Sequence, residues 1–200
     1  VTSIGNYAFN GCNDLTSITI PDSVTSIGNY AFNGCDSLNS ISTHYGVTSI
    51  GDGAFYNCTS LTSISISDTV TSIGRAAFYN CTSLTSITIP NGVTSFESVI
   101  FYSCTSLTSI TIPESVTSIE ASAFGECTSL TYITIGDSVT SIAEDAFQGT
   151  NISYNYTAEN VYYLISRSGQ NAYLIDGANA SGSVNIPTQV NTAYVKLISG

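Results

Sequence analysis

The sequence has little positive charge. Three Lys and Arg residues face fourteen Asp and Glu residues, so the net charge is −11, and charged residues make up only 8% of the chain. Binding to phosphate backbones or anionic lipid surfaces needs clustered Lys and Arg. Nucleic acid and anionic membrane surfaces are therefore poor candidates as partners, and no nucleic-acid partner is expected. The solvated surface is expected to consist mainly of Ser, Thr, Asn and Tyr.

Residues that commonly carry catalysis are also scarce. His44 is the only histidine, and the chain has no H-E-x-x-H, no G-x-S-x-G and no phosphate-binding glycine loop. Acid–base and phosphate chemistry thus lack their usual groups. We expect no enzyme activity, no catalytic residue and no cofactor. His44 lies in the segment STHYG, where it marks a local departure at a strand end or takes part in binding.

Long apolar runs and an initiator methionine are absent as well. No apolar run approaches the roughly 20 residues that a membrane helix needs, so this part of the protein is expected to have no membrane span. The chain opens directly on VTSIGNYAF. We interpret it as a piece of a longer protein whose targeting signals lie elsewhere.

A 23-residue repeat dominates what is present. The stretch CTSLTSITIP occupies residues 81–90 and returns unchanged at 104–113. The unit reads V-x-x-I-x-x-x-A-F-x-x-C-x-x-L-x-x-I-x-I-P-x-x, with six full copies and a seventh that stops after Gln148. A period of this length with an L-x-x-I-x-I core indicates a leucine-rich-repeat solenoid, in which coils stack because one coil cannot bury its apolar side alone.

Each unit divides into strand and turn segments. In L-T-S-I-T-I the alternation places Ile87 and Ile89 inward and Thr88 outward, as in a strand. The A-F-x-x-C-x-x-L spacing suits a short helical turn. Polar residues stand where that turn would begin, and they are predicted to cap its free N–H groups: Asn6, Asn29, Asp52 and Ser98.

This unit resembles the BspA-like class of leucine-rich repeats, with the pattern C-x-x-L-x-x-I-x-I-P-x-x-V-x-x-I-G-x-x-A-F over residues 1–149. The resemblance implies an α/β, β-rich fold, a right-handed solenoid with a parallel sheet and short helical turns. It also implies a surface or secreted protein of a host-associated microbe, because several members are implicated in adhesion to host proteins or cells.

Residues 150–200 form a second, β-rich region in this interpretation. Short strands are predicted at 161–166, 172–175, 183–186 and 193–198, separated by Gly- and Asn-rich turns. Two alternatives stay open for this region. It is either an insertion leading into a further repeat block or a C-terminal cap over the last coil's apolar edge.

The six cysteines recur in one column, from Cys12 to Cys127. Parallel side chains in a stack do not reach disulfide geometry, and a linear ladder does not converge on a zinc ion. We predict six buried free thiols that titrate only after denaturation. A column of acids and amides after each I-P supplies too few oxygens per coil for calcium, so no metal site is predicted.

The outward strand positions are the predicted binding surface, since in leucine-rich repeats this sheet lines the concave face. Its hydroxyl groups could accept a protein or a glycan, and Tyr132 is the predicted anchor because Tyr is enriched at binding hot spots. The alternative is plain solvation of a sheet by residues that favour strands. The candidate binding residues are Ser63, Ser65, Ser86, Thr88, Ser109, Thr111, Tyr132 and Thr134.

A second stripe, of Tyr56, Tyr79 and Tyr102, lies on the turn side of the repeat. Stacked tyrosines could bind sugar rings, or they could pack over the Phe column of their own solenoid.

The predicted function is a non-enzymatic cell-surface or secreted module that adheres to host or matrix proteins or glycans. The rival is a structural spacer, a stiff rod that projects another domain. Ice binding by the Ser and Thr rows is a distant third, since it needs a flat face. An unpaired first coil also leaves end-to-end self-association open.

Overall fold

The computed structural model describes residues 1–152 and four later strand segments. Residues 1–152 wind into six coils and part of a seventh, and the strands that pair do so in parallel with the same position of the next coil. Ser3 faces Ser26, and Ser63 faces Ser86. The 23-residue solenoid predicted from the sequence is confirmed.

Twelve short strands belong to the solenoid: β1 (Ser3–Ile4), β2 (Ser26–Ile27), β3 (Ser40–Ser42), β4 (Ser49–Ile50), β5 (Ser63–Ser65), β6 (Ser72–Ile73), β7 (Ser86–Ile87), β8 (Ser95–Phe96), β9 (Ser109–Thr111), β10 (Ser118–Ile119), β11 (Tyr132–Thr134) and β12 (Ser141–Ile142). The first sheet contains β1-β2-β4-β6 and then β8-β10-β12. The second sheet contains β3-β5-β7 and then β9-β11.

The ladder of the first sheet is interrupted between β6 and β8. At this point Phe96 replaces the isoleucine of the other coils and is itself fully buried. Its ring lies 5.9 Å from that of Phe101 and 5.7 Å from that of Phe124. The second sheet is interrupted at the same coil, between β7 and β9.

The predicted short helical turns are not present, because the described residues contain no helix. In the first coil, the N–H groups of Ala8, Asn10 and Cys12 donate to carbonyls three residues earlier, as in successive turns. Two residues per coil have positive φ, for example Ala76 at 55° and Asn80 at 56° in the fourth coil. A left-handed residue ends a right-handed helix, so the chain turns repeatedly instead of continuing as a helix.

The core consists of repeat columns that stack on themselves. The Phe rings of successive coils are nearly parallel, with centroids 5.1–5.5 Å apart from Phe9 to Phe147. The Val, Ile, Ala, Leu and Cys columns of the inner coils pack around them. Burial is thus shared between coils, as expected for a repeat protein.

The later strands are β13 (Asn155–Tyr156), β14 (Tyr162–Ile165), β15 (Asn171–Asp176) and β16 (Tyr194–Lys196), in the sheet order β13-β14-β15-β16. The first two pairings are antiparallel and the last is parallel. β14, β15 and β16 overlap three predicted strands, β13 was not predicted, and segment 183–186 lies outside the described residues. The division at residue 149/150 stays a prediction. In the described part of the chain, no helix is long and apolar enough to span a membrane.

Candidate binding surface

The cysteine column is an internal ladder of thiols. The Cys58 thiol donates a hydrogen bond to the Phe32 carbonyl of the preceding coil, 3.1 Å away, and the pattern holds from Cys35 to Cys127 at 3.0–3.2 Å. All six cysteines are free and five are buried. The prediction of buried thiols is therefore confirmed for five and wrong for Cys12, which is exposed because no coil precedes it in the chain described here.

Burial is the main cause of the acid–base behaviour of these thiols, since a thiolate loses solvation inside the core. It raises the pKa of Cys35 from 9.0 to about 11, with the neighbouring Cys12 as a smaller cause. Burial also raises the pKa of Cys127 to about 12, and it raises the pKa of Cys58, Cys81 and Cys104 well above 9.0. The five buried thiols, from Cys35 to Cys127, are therefore protonated and unreactive at neutral pH.

The polar residues predicted as caps form an inter-coil ladder instead. The Asn6 Oδ1 accepts from the Asn29 N–H, the Asn29 Oδ1 from the Asp52 N–H, and the Asp52 Oδ1 from the Arg75 N–H, at 2.8–3.0 Å. The cap prediction is wrong for these residues, because each oxygen bonds the following coil. The Ser98 hydroxyl makes no such bond in the described residues.

A glycine of the next coil makes room for each ladder oxygen. A Cβ on Gly28 would overlap the Asn6 Oδ1, and Gly51 and Gly74 stand in the same relation to Asn29 and Asp52. The ladder ends where Glu97 replaces this glycine. This pairing was not predicted from the sequence, although its signal is visible there as an Asn or Asp followed 22 residues later by Gly.

The turn side also presents a row of stacked tyrosines. The Tyr56 and Tyr79 rings are 4.4 Å apart at an interplanar angle of 2°, and Tyr79 and Tyr102 are 5.2 Å apart at 8°. The pKa of Tyr56 is raised, first by partial burial and then by the Tyr79 phenol. Because neighbouring rings cover each other's faces, the row offers edges instead of the open faces on which a sugar ring stacks.

Threonine hydroxyls elsewhere on the coils are used internally. Thr71 donates to the Thr48 carbonyl, Thr82 to the Thr59 carbonyl and Thr85 to the Thr62 carbonyl, each one coil back, and all three bonds are 3.3 Å long. These three hydroxyls therefore hold adjacent coils together, and their protons are already used within the solenoid.

The outward residues of the second sheet differ from these columns. Within residues 1–152, none of the eight predicted binding residues makes a side-chain hydrogen bond, and all are exposed except the half-buried Thr134. Tyr132 is 65% exposed. The first sheet offers one comparable column, represented by Ser49 and Ser72. The second sheet thus presents two adjacent columns of unused hydroxyl groups.

A groove of about 440 Å³ lies over the middle of the second sheet. Its floor contains Ser86, Thr88, Ser109 and Thr111, and its rim contains the acid and amide column, here Asp68, Asn91 and Glu114. The structure therefore brings together four of the eight predicted residues. Ser65 lines a smaller neighbouring groove of about 250 Å³, whereas Ser63, Tyr132 and Thr134 line neither groove.

The rim departs from the repeat at the end of the second coil. His44 Nε2 lies 3.1 Å from the Asp22 carboxylate, and Tyr45 projects with 76% of its surface exposed. Thr43 occupies a buried isoleucine position and accepts a hydrogen bond from the Ser67 N–H. Among the described residues, no group of three or more His, Cys, Asp or Glu side chains could hold a metal ion.

Comparison with known proteins places these features in a family. A model of the BspA type leucine rich repeat region matches in six copies, over residues 2–98 and 48–175. No curated protein matches the chain.

Solved structures with the same fold are bacterial. A leucine rich repeat protein of T. pallidum is 29% identical with a TM-score of 0.67, and the match covers 76% of this chain and 72% of that one. A leucine-rich repeat protein of Bacteroides ovatus is 30% identical with a TM-score of 0.67, and the match covers 80% of this chain and 47% of that one. A leucine rich cell surface protein of Faecalibacterium prausnitzii is 33% identical with a TM-score of 0.61, and the match covers 80% of this chain and 54% of that one.

The chain thus spans about half the length of the last two proteins. Its 23-residue period, its parallel inter-coil pairing and the six family matches all agree. The chain belongs to the BspA-type leucine-rich-repeat family.

Proposed function

We propose that this chain is a non-enzymatic binding module of a cell-surface or secreted protein, and that it holds an extracellular protein or glycan against the second sheet. The observation that carries the proposal is the pair of adjacent hydroxyl columns, at Ser86 and Thr88 and their equivalents, which make no hydrogen bond within the solenoid. Hydroxyls that donate and accept are suited to a neutral polar ligand.

The groove gives this surface a shape that a flat sheet lacks. Ligand sites are concave and combine apolar lining with a few placed polar groups. Here Ile89, Ile112 and Pro113 line the groove beside the hydroxyl floor. The exposed Tyr132 lies in the Ser109 column, one coil further along, and supplies an aromatic contact at the end of the face.

Localisation outside the cell rests on likeness to relatives. The similar protein of Faecalibacterium prausnitzii is described as a cell surface protein. We further propose that the ligand is a host or extracellular-matrix component.

The test is an array of extracellular-matrix proteins and glycans probed with the purified 200-residue chain at physiological salt. Ser86→Lys places a long cation in the groove and should reduce binding at least tenfold, and Tyr132→Ala should weaken it. The matched control is Ser72→Lys, an exposed serine of the same coil in the first sheet. If both lysine variants bind equally well, the second sheet is not the binding face.

A structural spacer is the second candidate function. It is favoured by the unbroken Phe stack from Phe9 to Phe147, which couples every coil to the next. A blank array with folded protein would favour the spacer and would overturn the binding proposal for this region.

A further inference from the structure

Five tyrosines form a continuous row along the turn side of the solenoid. Tyr7 and Tyr30 are stacked with centroids 5.3 Å apart, Tyr30 and Tyr56 are tilted at 6.3 Å and 53°, and the row continues through Tyr79 to Tyr102. Tyr30, Tyr56, Tyr79 and Tyr102 are all half-buried. Their contacts are fixed by the pitch of the solenoid.

Two glycines shape this row. The Tyr30 ring occupies the space in which a Cβ of Gly53 would lie, so the row can pass from one column of the repeat to another. A Cβ on Gly125 would lie 2.7 Å from the Tyr102 ring, which ends the row. Between these glycines, Tyr56, Tyr79 and Tyr102 occupy the same position of successive coils. Each follows a residue with positive φ by three positions: Gly53, Ala76 and Val99.

Within residues 1–152, five of the seven tyrosines lie in this row. The sequence has no Met and no Trp. Five of the six thiols are buried, protonated and hydrogen-bonded to carbonyl groups. Apart from Cys12 and the half-buried His44, the oxidisable side chains that reach the surface of residues 1–152 are tyrosines, and with Cys12 blocked no thiolate or thioether competes there for an oxidant.

We propose that the Tyr56–Tyr79 pair is a site of oxidative modification, at which a peroxide with a one-electron oxidant such as a haem peroxidase forms an intramolecular dityrosine. This pair has the shortest ring separation of the row and nearly parallel rings. The solenoid holds the two phenols together, so coupling needs no diffusional encounter.

The reaction balances as follows. The oxidant removes one electron and one proton from each phenol, and the two phenoxyl radicals join through ring carbons ortho to their oxygens. The hydrogen on each new tetrahedral carbon then moves as a proton to the adjacent oxygen, which restores both aromatic rings. One hydrogen peroxide and two phenols thus give one dityrosine and two waters.

Other exposed tyrosines lack this arrangement. Tyr45 has only the His44 ring beside it, in an edge contact at 5.7 Å. Tyr132 is exposed and makes no ring contact within residues 1–152. Neither has a second tyrosine ring beside it within residues 1–152. The Tyr56–Tyr79 product would join the third coil to the fourth as a covalent staple on the turn side.

The positions of Arg and Lys make the test specific. The chain contains only Arg75, Arg167 and Lys196 as basic residues, so trypsin separates Tyr56, in peptide 1–75, from Tyr79, in peptide 76–167. The 200-residue protein, with Cys12 alkylated, is treated with limiting hydrogen peroxide and a haem peroxidase. The monomer is isolated, denatured and digested. The expected result is a joined species of the two peptides that carries dityrosine fluorescence and has lost two hydrogens.

Tyr79→Phe should abolish the joined species, because phenylalanine keeps the stacked ring but cannot form a phenoxyl radical. Tyr102→Phe is the matched control and should leave it intact. The proposal is overturned if the joined species persists in Tyr79→Phe. It is also overturned if dityrosine is absent from the monomer or occurs only in covalent dimers.

Discussion

The first and fourth coils, residues 1–23 and 70–92, share 15 of their 23 residues and have very different surroundings. Val1 is 88% exposed whereas Val70 is 0% exposed, and Cys12 is exposed whereas Cys81 is buried. The fourth coil has a neighbour on each side, and the first has one. The comparison shows that burial in this protein belongs to pairs of coils and not to the repeat unit itself.

Thiol labelling is the sharpest way to test this difference. At neutral pH a thiol reagent should modify Cys12 rapidly, and Cys81 at least about a hundredfold more slowly, because a buried thiol reacts only after local opening. Mass spectrometry of the labelled peptides measures both rates. Equal rates would mean that the fourth coil opens as readily as the first.

Alkaline pH should destabilise the solenoid through the inner thiols. Their pKa values are raised above 9.0 in the folded chain, so the unfolded chain binds fewer protons above pH 9. Stability is therefore complete below pH 9 and falls as pH rises towards 11–12 and beyond. Each such thiol contributes about 1.4 kcal/mol per pH unit to the loss.

The measurement is the free energy of unfolding, or the denaturant midpoint, followed from pH 8 to pH 11. Cys81→Ser should make the decline shallower, because serine does not ionise in this range. Cys12→Ser should change the decline less, because Cys12 is only a smaller cause of the raised pKa of Cys35. A decline that is identical in both variants would assign the pH dependence to other groups, the tyrosines above all.

Removing a ring from the Phe stack should depend on the coil. Phe78 is fully buried between two rings, at 5.5 and 5.4 Å, whereas Phe9 is partly buried and has one stacked partner. Phe78→Ala should lower the free energy of unfolding by about 3–5 kcal/mol, and Phe9→Ala by less than half as much. Circular dichroism during urea unfolding measures both free energies. Equal losses would contradict the idea that burial depends on having a neighbouring coil on each side.

Much of this architecture was predictable, because a strict 23-residue period leaves few ways to stack. The inward Ile87 and outward Thr88 follow from strand alternation, and the low charge predicted a surface of hydroxyl groups. The turn between Phe and Leu was not predictable from spacing. An i, i+1, i+4, i+7 pattern also fits a chain of tight turns, and only the backbone shows that residues such as Ala76 have positive φ.

The candidate site was predictable in its position and not in its shape. Alternation placed Ser86 and Thr88 outward, yet the groove depends on how the rim column stands beside them. The role of Asn6 and Asn29 required knowledge of the next coil, because a side chain 23 residues away in sequence is its real neighbour. Cys12 was mispredicted for the same reason, since the pattern of one unit does not say how many neighbours it has.

The Asn ladder gives the smallest expected effect and separates two kinds of inter-coil contact. A ladder oxygen bonds only to the following coil. Removing the ladder side chain should therefore lower the free energy of unfolding by the same amount in the first coil as in an inner coil. Asn6→Ala and Asn29→Ala each leave one backbone N–H without its 2.8 Å or 3.0 Å acceptor, and each should cost about 0.5–1.5 kcal/mol. Urea midpoints of the two variants should therefore shift alike, in contrast to the Phe pair. If Asn6→Ala were silent while Asn29→Ala was not, the first coil would already be frayed in solution, and hydrogen bonds would depend on two neighbours as burial does.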